Sequence, residues 1–320
     1  MSPFSARVRR RELLKAGALL SASSMLAPFN LSIAAQPDEQ LELITRAIPA
    51  TGERIPVVGL GTNNYSVTAA EDLAMRREVL ERMPKLGGSL IDTAPGYGRS
   101  EEVLGKLLAD IGNRREFFIA TKVTAANDDL AGGKAMIEES FRRLRTDNIE
   151  LIQVHSLQGL DTLMPLLQEL KGAKRIKYLG ATTSDDRQHT AMAEAMRKYR
   201  LDFVQLNYSL DDRESASTLL PLAQERGTAV LINVPFGGRR GSNLFSRVSG
   251  KSVPTWAQEF DATSWGQFFL KYVISHPAVT CTIPGTTKLS HLQDNQRAAR
   301  GRLPSAAQRK RMEEFWASIG

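Results

Sequence analysis

The stretch Ser89-Leu-Ile-Asp-Thr-Ala-Pro-Gly-Tyr97 joins a short apolar run to a loop rich in glycine and proline. The run ends in a carboxylate, Asp92, and the loop supplies a phenol, Tyr97, five residues later. A phenol can protonate an oxygen, but its ordinary pKa is about 10. A nearby cation would stabilise the phenolate and lower that pKa. The arrangement therefore calls for a lysine and a histidine that can reach Tyr97.

Seven other short apolar runs follow the same plan, and segments with helical periodicity separate them. The eight runs are residues 57–61, 89–92, 117–122, 149–155, 177–182, 203–207, 229–233 and 279–283. The predicted helices are residues 76–86, 100–109, 134–144, 160–170, 186–198, 216–225, 263–273, 289–298 and 306–319. Strands separated by single helices indicate parallel pairing. Eight such units predict an α/β fold, a (β/α)8 TIM barrel.

Two additions to the barrel are predicted at its ends. Residues 45–48 and 54–56, joined through Thr51-Gly52, indicate a β-hairpin that plugs the bottom of the barrel. Residues 306–319 predict a C-terminal closing helix. Residues 235–254 form the longest irregular stretch, and a loop of that length in a compact domain is usually functional.

The polar residues fall at the ends of successive runs. Asp92 ends the second run, Lys122 the third and His155 the fourth, and Tyr97 follows in the loop after the second. Active sites of such barrels lie at the carboxyl ends of the strands, so these four groups should meet on one rim. We expect Tyr97 to protonate a carbonyl oxygen, with its pKa lowered by Lys122, which Asp92 holds by an ion pair. His155 would orient the carbonyl as a neutral imidazole, and the hydride donor must come from outside the chain.

Composition argues against several other classes of protein. The four histidines have no ligand spacing and the single cysteine, Cys281, lies in an apolar run, so we expect no metal site and a buried, inert thiol. Residues 36–320 carry 37 basic against 34 acidic residues, without a basic run interleaved with aromatics. This balance does not favour nucleic-acid binding.

Residues 1–35 read as a separate leader. Arg9-Arg10-Arg11 precedes a short apolar region that ends near Ser32-Ile-Ala34, and this resembles a twin-arginine export signal. The region is too short to span a bilayer stably. We expect export to the periplasm through the twin-arginine machinery; a basic N-terminus that is not a signal would leave the protein in the cytoplasm. Residues 36–320 form the predicted barrel domain.

The body resembles the aldo-keto reductase family from about Thr45 to Trp316. The matching motifs are Asp92-Thr-Ala-x-x-Tyr97-Gly98-x-Ser100-Glu101, Ala120-Thr-Lys122, Val154-His155 and Gly59-Leu-Gly-Thr62. The first three motifs match the family's catalytic tetrad at all four positions, and the fourth matches its first strand. The resemblance implies a nicotinamide cofactor laid across the top of the barrel and reduction of an aldehyde or ketone to an alcohol. An alternative within such folds is a cofactor-binding redox sensor, or a module that regulates a partner with vestigial turnover.

The resemblance also assigns residues to the cofactor. Thr182, Thr183 and Gln205 would contact the carboxamide, and Gly61 and Thr62 would lie near the nicotinamide ribose. The adenine and phosphates would lie on a second set of residues: Pro284, Gly285, Thr286, Lys288, His291 and Asn295.

Two departures from the family pattern bear on the cofactor. Many members carry lysine at the position of Gly285 and arginine at that of His291, and these hold the 2′-phosphate of NADPH. With only Lys288 and His291 nearby, NADP is expected by family habit and NAD is possible. Many members also stack a tyrosine on the nicotinamide at the position of Asn233, so here the stacking surface is weaker or comes from Phe236.

Two expectations concern the surroundings of the site. Arg239 and Arg240 in the long loop could clamp the pyrophosphate or lie in solvent. The substrate would be a small carbonyl compound in an open pocket walled by Tyr65, Phe236 and Trp256, although Trp256 could equally be core.

Overall fold

The computed structural model describes residues 41–237 and 243–319. In these residues eight parallel strands form one sheet, and two further strands pair antiparallel as a hairpin. The hairpin strands are β1 (Thr45–Ala47) and β2 (Arg54–Pro56). The parallel strands are β3 (Leu60–Gly61), β4 (Leu90–Asp92), β5 (Phe118–Val123), β6 (Ile149–Val154), β7 (Ile176–Thr182), β8 (Phe203–Asn207), β9 (Ala229–Asn233) and β10 (Cys281–Thr282).

Helices follow the parallel strands along the chain, as the alternating pattern predicts. Those in the described residues are α1 (Ala70–Arg82), α2 (Ser100–Ile111), α3 (Leu130–Leu144), α4 (Leu160–Gly172), α5 (His189–Lys198), α6 (Leu219–Arg226), α7 (Leu244–Arg247), α8 (Trp265–Ile274), α9 (Leu289–Ala298) and α10 (Ala306–Ser318). The predicted α/β fold and (β/α)8 barrel are therefore confirmed.

The sheet closes where β3 meets β10. Strands β3 to β10 pair in sequence order, and Gly59 N donates to Thr282 O at 2.8 Å across the remaining seam. A Cβ at Gly59 would lie 2.7 Å from Leu90 O, and one at Gly61 would lie 2.8 Å from Ile283 O. The Gly59-Leu-Gly61 pair thus allows the first strand to approach both neighbours closely. The two glycines therefore serve the packing of the barrel strands.

The hairpin plugs the floor of the barrel, as predicted. Ile48 and Ile55 are buried in one apolar cluster with side chains from the first residues of several parallel strands. The hydroxyl of Tyr178 lies 2.6 Å from Thr51 Oγ1 and donates to Glu53 Oε2 at 2.5 Å. Because Thr51 and Glu53 belong to the hairpin turn, apolar packing and hydrogen bonds both hold it against the barrel.

The C-terminal helix packs against the outer helical layer. A capping box between Ser305 and Gln308 starts α10. Its Met312 and Trp316 are buried, and the Trp316 ring lies 5.7 Å from that of Phe269 on α8. The predicted helix is therefore present, with its end at Ser318.

Some boundaries differ from the sequence prediction. Helix α3 begins four residues earlier, at Leu130, because the Asp129 side chain accepts a hydrogen bond from Gly132 N at 2.8 Å. The stretch 235–254, expected to be irregular, contains α7. Cys281 is buried, as expected. Within residues 41–237 and 243–319, every helix is too short or too polar to cross a bilayer.

Candidate active site

The four predicted catalytic residues line one cavity of about 330 Å³. Asp92 is the last residue of β4, Lys122 lies near the end of β5, and His155 follows directly after β6. Tyr97 ends a short 3₁₀ helix, Pro95–Tyr97, in the loop after β4. All four come from the carboxyl ends of adjacent strands, as the spacing predicts.

Lys122 is the centre of this group. Its side chain is 1% exposed, and its ammonium donates to Asp92 Oδ2 at 2.7 Å. The same nitrogen contacts Thr93 O at 2.8 Å and Tyr97 Oη at 3.3 Å. A buried ammonium is stable only with such partners. The expected ion pair between Asp92 and Lys122 is thus present, and it places a positive charge beside the phenol.

The other polar residues of the motif fasten the loop that carries Tyr97. Ser100 Oγ lies 3.0 Å from both Thr62 O and Thr93 Oγ1, joining the ends of β3 and β4 to the start of α2. Thr121 Oγ1 donates to the buried Glu101 carboxylate at 2.6 Å, which ties α2 to β5. Each of these side chains fixes the backbone on either side of Tyr97.

The pKa of the phenol reflects two opposing effects. Lys122 lowers the pKa of Tyr97, as expected, but burial raises it by more, so that the pKa of Tyr97 lies above its ordinary value. Burial acts to lower the pKa of Lys122, but the charge of Asp92 and the hydrogen bonds to Asp92 and Tyr97 oppose it, and the pKa of Lys122 is raised. The pair thus holds a protonated phenol beside an ammonium.

His155 is a neutral imidazole, as expected. Burial, with the positive charge of Lys122, lowers the pKa of His155 to about 4. Its ring meets the Tyr97 ring edge-on, with centroids 6.3 Å apart. The backbone beyond it is held in place, because Ser156 N donates to Thr182 Oγ1 at 3.1 Å while Ser156 adopts a φ of 52°. Both rings therefore present polar atoms to one cavity.

A residue that the sequence reasoning missed lies in the barrel interior below the site. Gln153 Nε2 donates to Gln205 Oε1 at 3.0 Å, and burial raises the pKa of Asp92 although Lys122 and Gln205 act in the opposite direction. Gln153 stands in β6, two positions before His155. A polar residue at that spacing inside an apolar run was the signal that could have found it.

The predicted cofactor residues divide into two groups. Five line the cavity with the four catalytic candidates: Gly61, Thr62, Thr182, Gln205 and Gly285. Six do not line it: Thr183, Pro284, Thr286, Lys288, His291 and Asn295. Arg239 and Arg240 lie outside the described residues.

Hydrogen bonds explain why some of the six remaining cofactor candidates do not line the cavity. The Thr183 hydroxyl donates to Gln188 Oε1 at 2.7 Å, so the structure does not place it as a contact in the cavity. Asn295 is buried, and its Nδ2 donates to Thr286 Oγ1 at 2.9 Å. Lys288 and His291 are exposed at the beginning of α9.

Of the three predicted wall residues, the prediction for Tyr65 is wrong, and Trp256 takes the alternative position in the core. Tyr65 is fully buried, and its hydroxyl donates to Thr286 O at 3.1 Å. Trp256 packs on Phe268 with ring centroids 5.6 Å apart, so it belongs to the core. Phe236 does line the cavity. In the part of the chain that the structure describes, no group of three or more His, Cys, Asp or Glu residues could hold a metal ion.

The fold is a (β/α)8 barrel with four polar residues at the carboxyl ends of adjacent strands, and comparison with known proteins gives the family. Residues 57–317 match the model of the aldo/keto reductase family. The chain therefore belongs to that family.

Individual relatives agree with this assignment. The chain is 28% identical over 287 residues to aldo-keto reductase str7 of Strobilurus tenacellus, covering 78% of this chain and 84% of the relative. It is 28% identical over 263 residues to methylglyoxal reductase YeaE of Escherichia coli strain K12, covering 79% and 88%. An aldo-keto reductase structure from Klebsiella pneumoniae in complex with NADPH shares the fold, with a TM-score of 0.68, 22% identity and coverage of 86% and 96%.

The protonation of His155 leads to a prediction about acid stability. Because folding lowers the pKa of His155 from 6.5 to about 4, the unfolded chain binds a proton in that range that the folded chain does not. The free energy of unfolding should therefore fall as the pH drops from 6.5 through about 4. We expect His155→Gln to flatten this slope, as measured by urea unfolding at a series of pH values.

His276 provides the matched control, because burial also lowers its pKa to about 4 and it lies outside the cavity. His276→Gln should flatten the slope comparably, and the double variant should flatten it further. A His155→Gln slope equal to that of the unaltered protein would contradict the neutral state of His155.

Proposed function

We propose that this protein reduces an aldehyde or ketone to an alcohol with NADPH, and that Tyr97 is the general acid. The observation that carries the proposal is the Lys122 ammonium, buried between the Asp92 carboxylate and the Tyr97 phenol. If the ion pair between Lys122 and Asp92 were only structural, it would not need the Tyr97 phenol beside it at the edge of a cavity. The alternative function, a cofactor-binding redox sensor, would use the same residues but would show only vestigial turnover of a carbonyl substrate.

The chain's own residues handle the proton and the orientation of the carbonyl. When bound, NADPH supplies the hydride that reaches the carbonyl carbon. Tyr97 Oη donates its proton to the carbonyl oxygen, and Lys122 stabilises the phenolate that remains. Neutral His155 donates a hydrogen bond to the same oxygen, so two donors meet the developing alkoxide charge.

The residues around the cavity fit a nicotinamide nucleotide. Asn233 lines the cavity, and its Oδ1 has no hydrogen-bond partner among the described residues, while its Nδ2 donates to Thr183 O at 3.2 Å. The N–H of a carboxamide would satisfy that oxygen. Helix α9 begins after Lys288 without a side-chain cap, so its first N–H groups are available to a phosphate.

The choice of NADPH and of substrate draws on relatives. The Klebsiella pneumoniae structure holds NADPH, and Lys288 and His291 would be the side-chain hydrogen-bond donors near a 2′-phosphate. The name of the Escherichia coli relative, methylglyoxal reductase, supports a small aldehyde.

Replacing the proposed acid tests the chemistry. Tyr97→Phe should keep NADPH binding and lose about a hundred- to ten-thousand-fold in turnover of methylglyoxal, because only the proton donor is removed. Nucleotide binding is measured by quenching of protein fluorescence, and turnover by loss of the reduced-cofactor absorbance. Turnover retained in Tyr97→Phe would reject the mechanism. Oxidation of one bound equivalent without further turnover in the unaltered protein would favour the sensor.

We also propose that residues 1–35 direct export to the periplasm by the twin-arginine machinery, and that residues 36–320 form the exported domain. The support is the paired arginine sequence before a short apolar region. The leader lies outside the described residues.

Cell fractionation tests the leader. The full-length chain, produced in a bacterium with twin-arginine export, should appear in the periplasm. The variant Arg9→Lys/Arg10→Lys should stay in the cytoplasm, because it keeps the charge and removes the paired guanidinium groups. An unaltered protein found wholly in the cytoplasm would reject the proposal.

A further inference from the structure

A second cavity, of about 530 Å³, lies beside the active-site cavity. Lys122 and His155 border both cavities. The remaining lining comes from the loop before Tyr97, the end of β5 and one side of α3, principally Pro95, Gly96, Thr124, Met136, Glu139 and Arg143. We call this cavity the α3 groove.

The α3 groove stays open because the residues on its two walls are small or are held by a hydrogen bond. Gly96, on one wall, has no atom within 4 Å of the position that a Cβ would take. On the other wall, Met136 is fixed because its Sδ accepts a hydrogen bond from Thr124 N at 3.4 Å. Ala135 beside it is exposed and carries only a methyl group. The groove therefore has an apolar section, formed by Pro95, Gly96, Ala135 and Met136, next to the His155 that it shares with the active-site cavity.

The far end of the groove is polar but electrically balanced. Arg143 Nε lies 2.8 Å from Glu139 Oε1, and its Nη1 lies 3.7 Å from Glu101 Oε2. Glu139 also accepts a hydrogen bond from Arg142. Because these cations and carboxylates already pair with one another, the groove offers no unpaired charge to attract an ionic ligand.

We propose that the α3 groove binds the tail of the carbonyl substrate, and that it selects an uncharged, apolar tail. The proposal rests on the reductase function proposed above. With the carbonyl oxygen between Tyr97 and His155, a substituent that leaves past His155 enters the groove between Pro95 and Met136. Helix α3 thus supplies specificity-determining residues, Ala135 and Met136, although none of its residues takes part in the chemistry.

Filling the groove tests the proposal. In the unaltered protein, kcat/KM should be higher for hexanal than for propanal, because the longer tail buries more methylene groups. Met136→Trp should lower kcat/KM for hexanal at least about tenfold and leave propanal within about twofold. Ala135→Phe, at an exposed position, should act in the same direction if Met136→Trp folds poorly. Adipate semialdehyde should be a poorer substrate than hexanal because its tail ends in a carboxylate.

Lys134→Trp is the matched control, since it adds the same ring to α3 at an exposed position that does not line the groove. It should leave both aldehydes unaffected. Equal losses for propanal and hexanal in Met136→Trp and Ala135→Phe, no loss in either, or a preference for adipate semialdehyde would each overturn the groove as the tail site.

A binding measurement separates this proposal from the proposed chemistry. Hexanamide, which cannot be reduced under these conditions, should bind the NADPH-loaded protein more tightly than propanamide does in calorimetry. Met136→Trp should abolish that difference. If hexanamide binds in this way while no aldehyde is turned over, the reductase function fails and the groove stands. If the aldehydes are reduced but the amides bind equally, the groove fails and the reductase function stands.

Discussion

The site depends on a lysine ammonium that is buried at the upper end of the barrel. Lys122 is almost fully enclosed and makes contacts below 3.5 Å with three oxygens, from Asp92, Thr93 and Tyr97. Removing one partner from a buried ion pair costs about 3–5 kcal/mol, because it leaves a charge uncompensated. Because of that cost, the Asp92 carboxylate, the Thr93 carbonyl and the Tyr97 phenol must all lie close to the ammonium. The loop from Asp92 to Tyr97 must therefore be rigid.

Much of the surrounding structure fulfils this requirement. The Gly59-Leu-Gly61 pair lets β3 and β10 close the barrel, and the Ser100 hydroxyl joins β3 and β4 beneath the Tyr97 loop. In the barrel interior, Gln153 and Gln205 form a hydrogen bond with each other. The same enclosure lowers the pKa of His155 and raises that of Tyr97. The neutral imidazole and the protonated phenol therefore share one cause, which is burial; Lys122 reinforces its effect on the pKa of His155 and opposes its effect on the pKa of Tyr97.

The fold and the meeting of the four polar residues could be predicted from the sequence, because both follow from periodicity. Parallel strands place their carboxyl ends on one rim, so Asp92, Lys122 and His155 had to be close. The pKa of Tyr97 could not be predicted in the same way, since it depends on how far burial outweighs Lys122. Nor could the pattern separate core from cavity for Tyr65 and Trp256, because a buried aromatic residue gives the same signal in either place. The hydrogen bond between Asn295 and Thr286 could not be predicted either, because the folded loop between them brings these side chains together.

The central claim is that the charge of Lys122 governs the proton of Tyr97. Its most direct test is the pKa of the Tyr97 phenol, measured by NMR with ¹³C-labelled tyrosine in the unaltered protein and in Lys122→Met, with Tyr97→Phe to assign the signal. Loss of the ammonium should move this pKa further above its ordinary value, because burial would then act without opposition. An unchanged or lower pKa of Tyr97 in Lys122→Met would contradict the account.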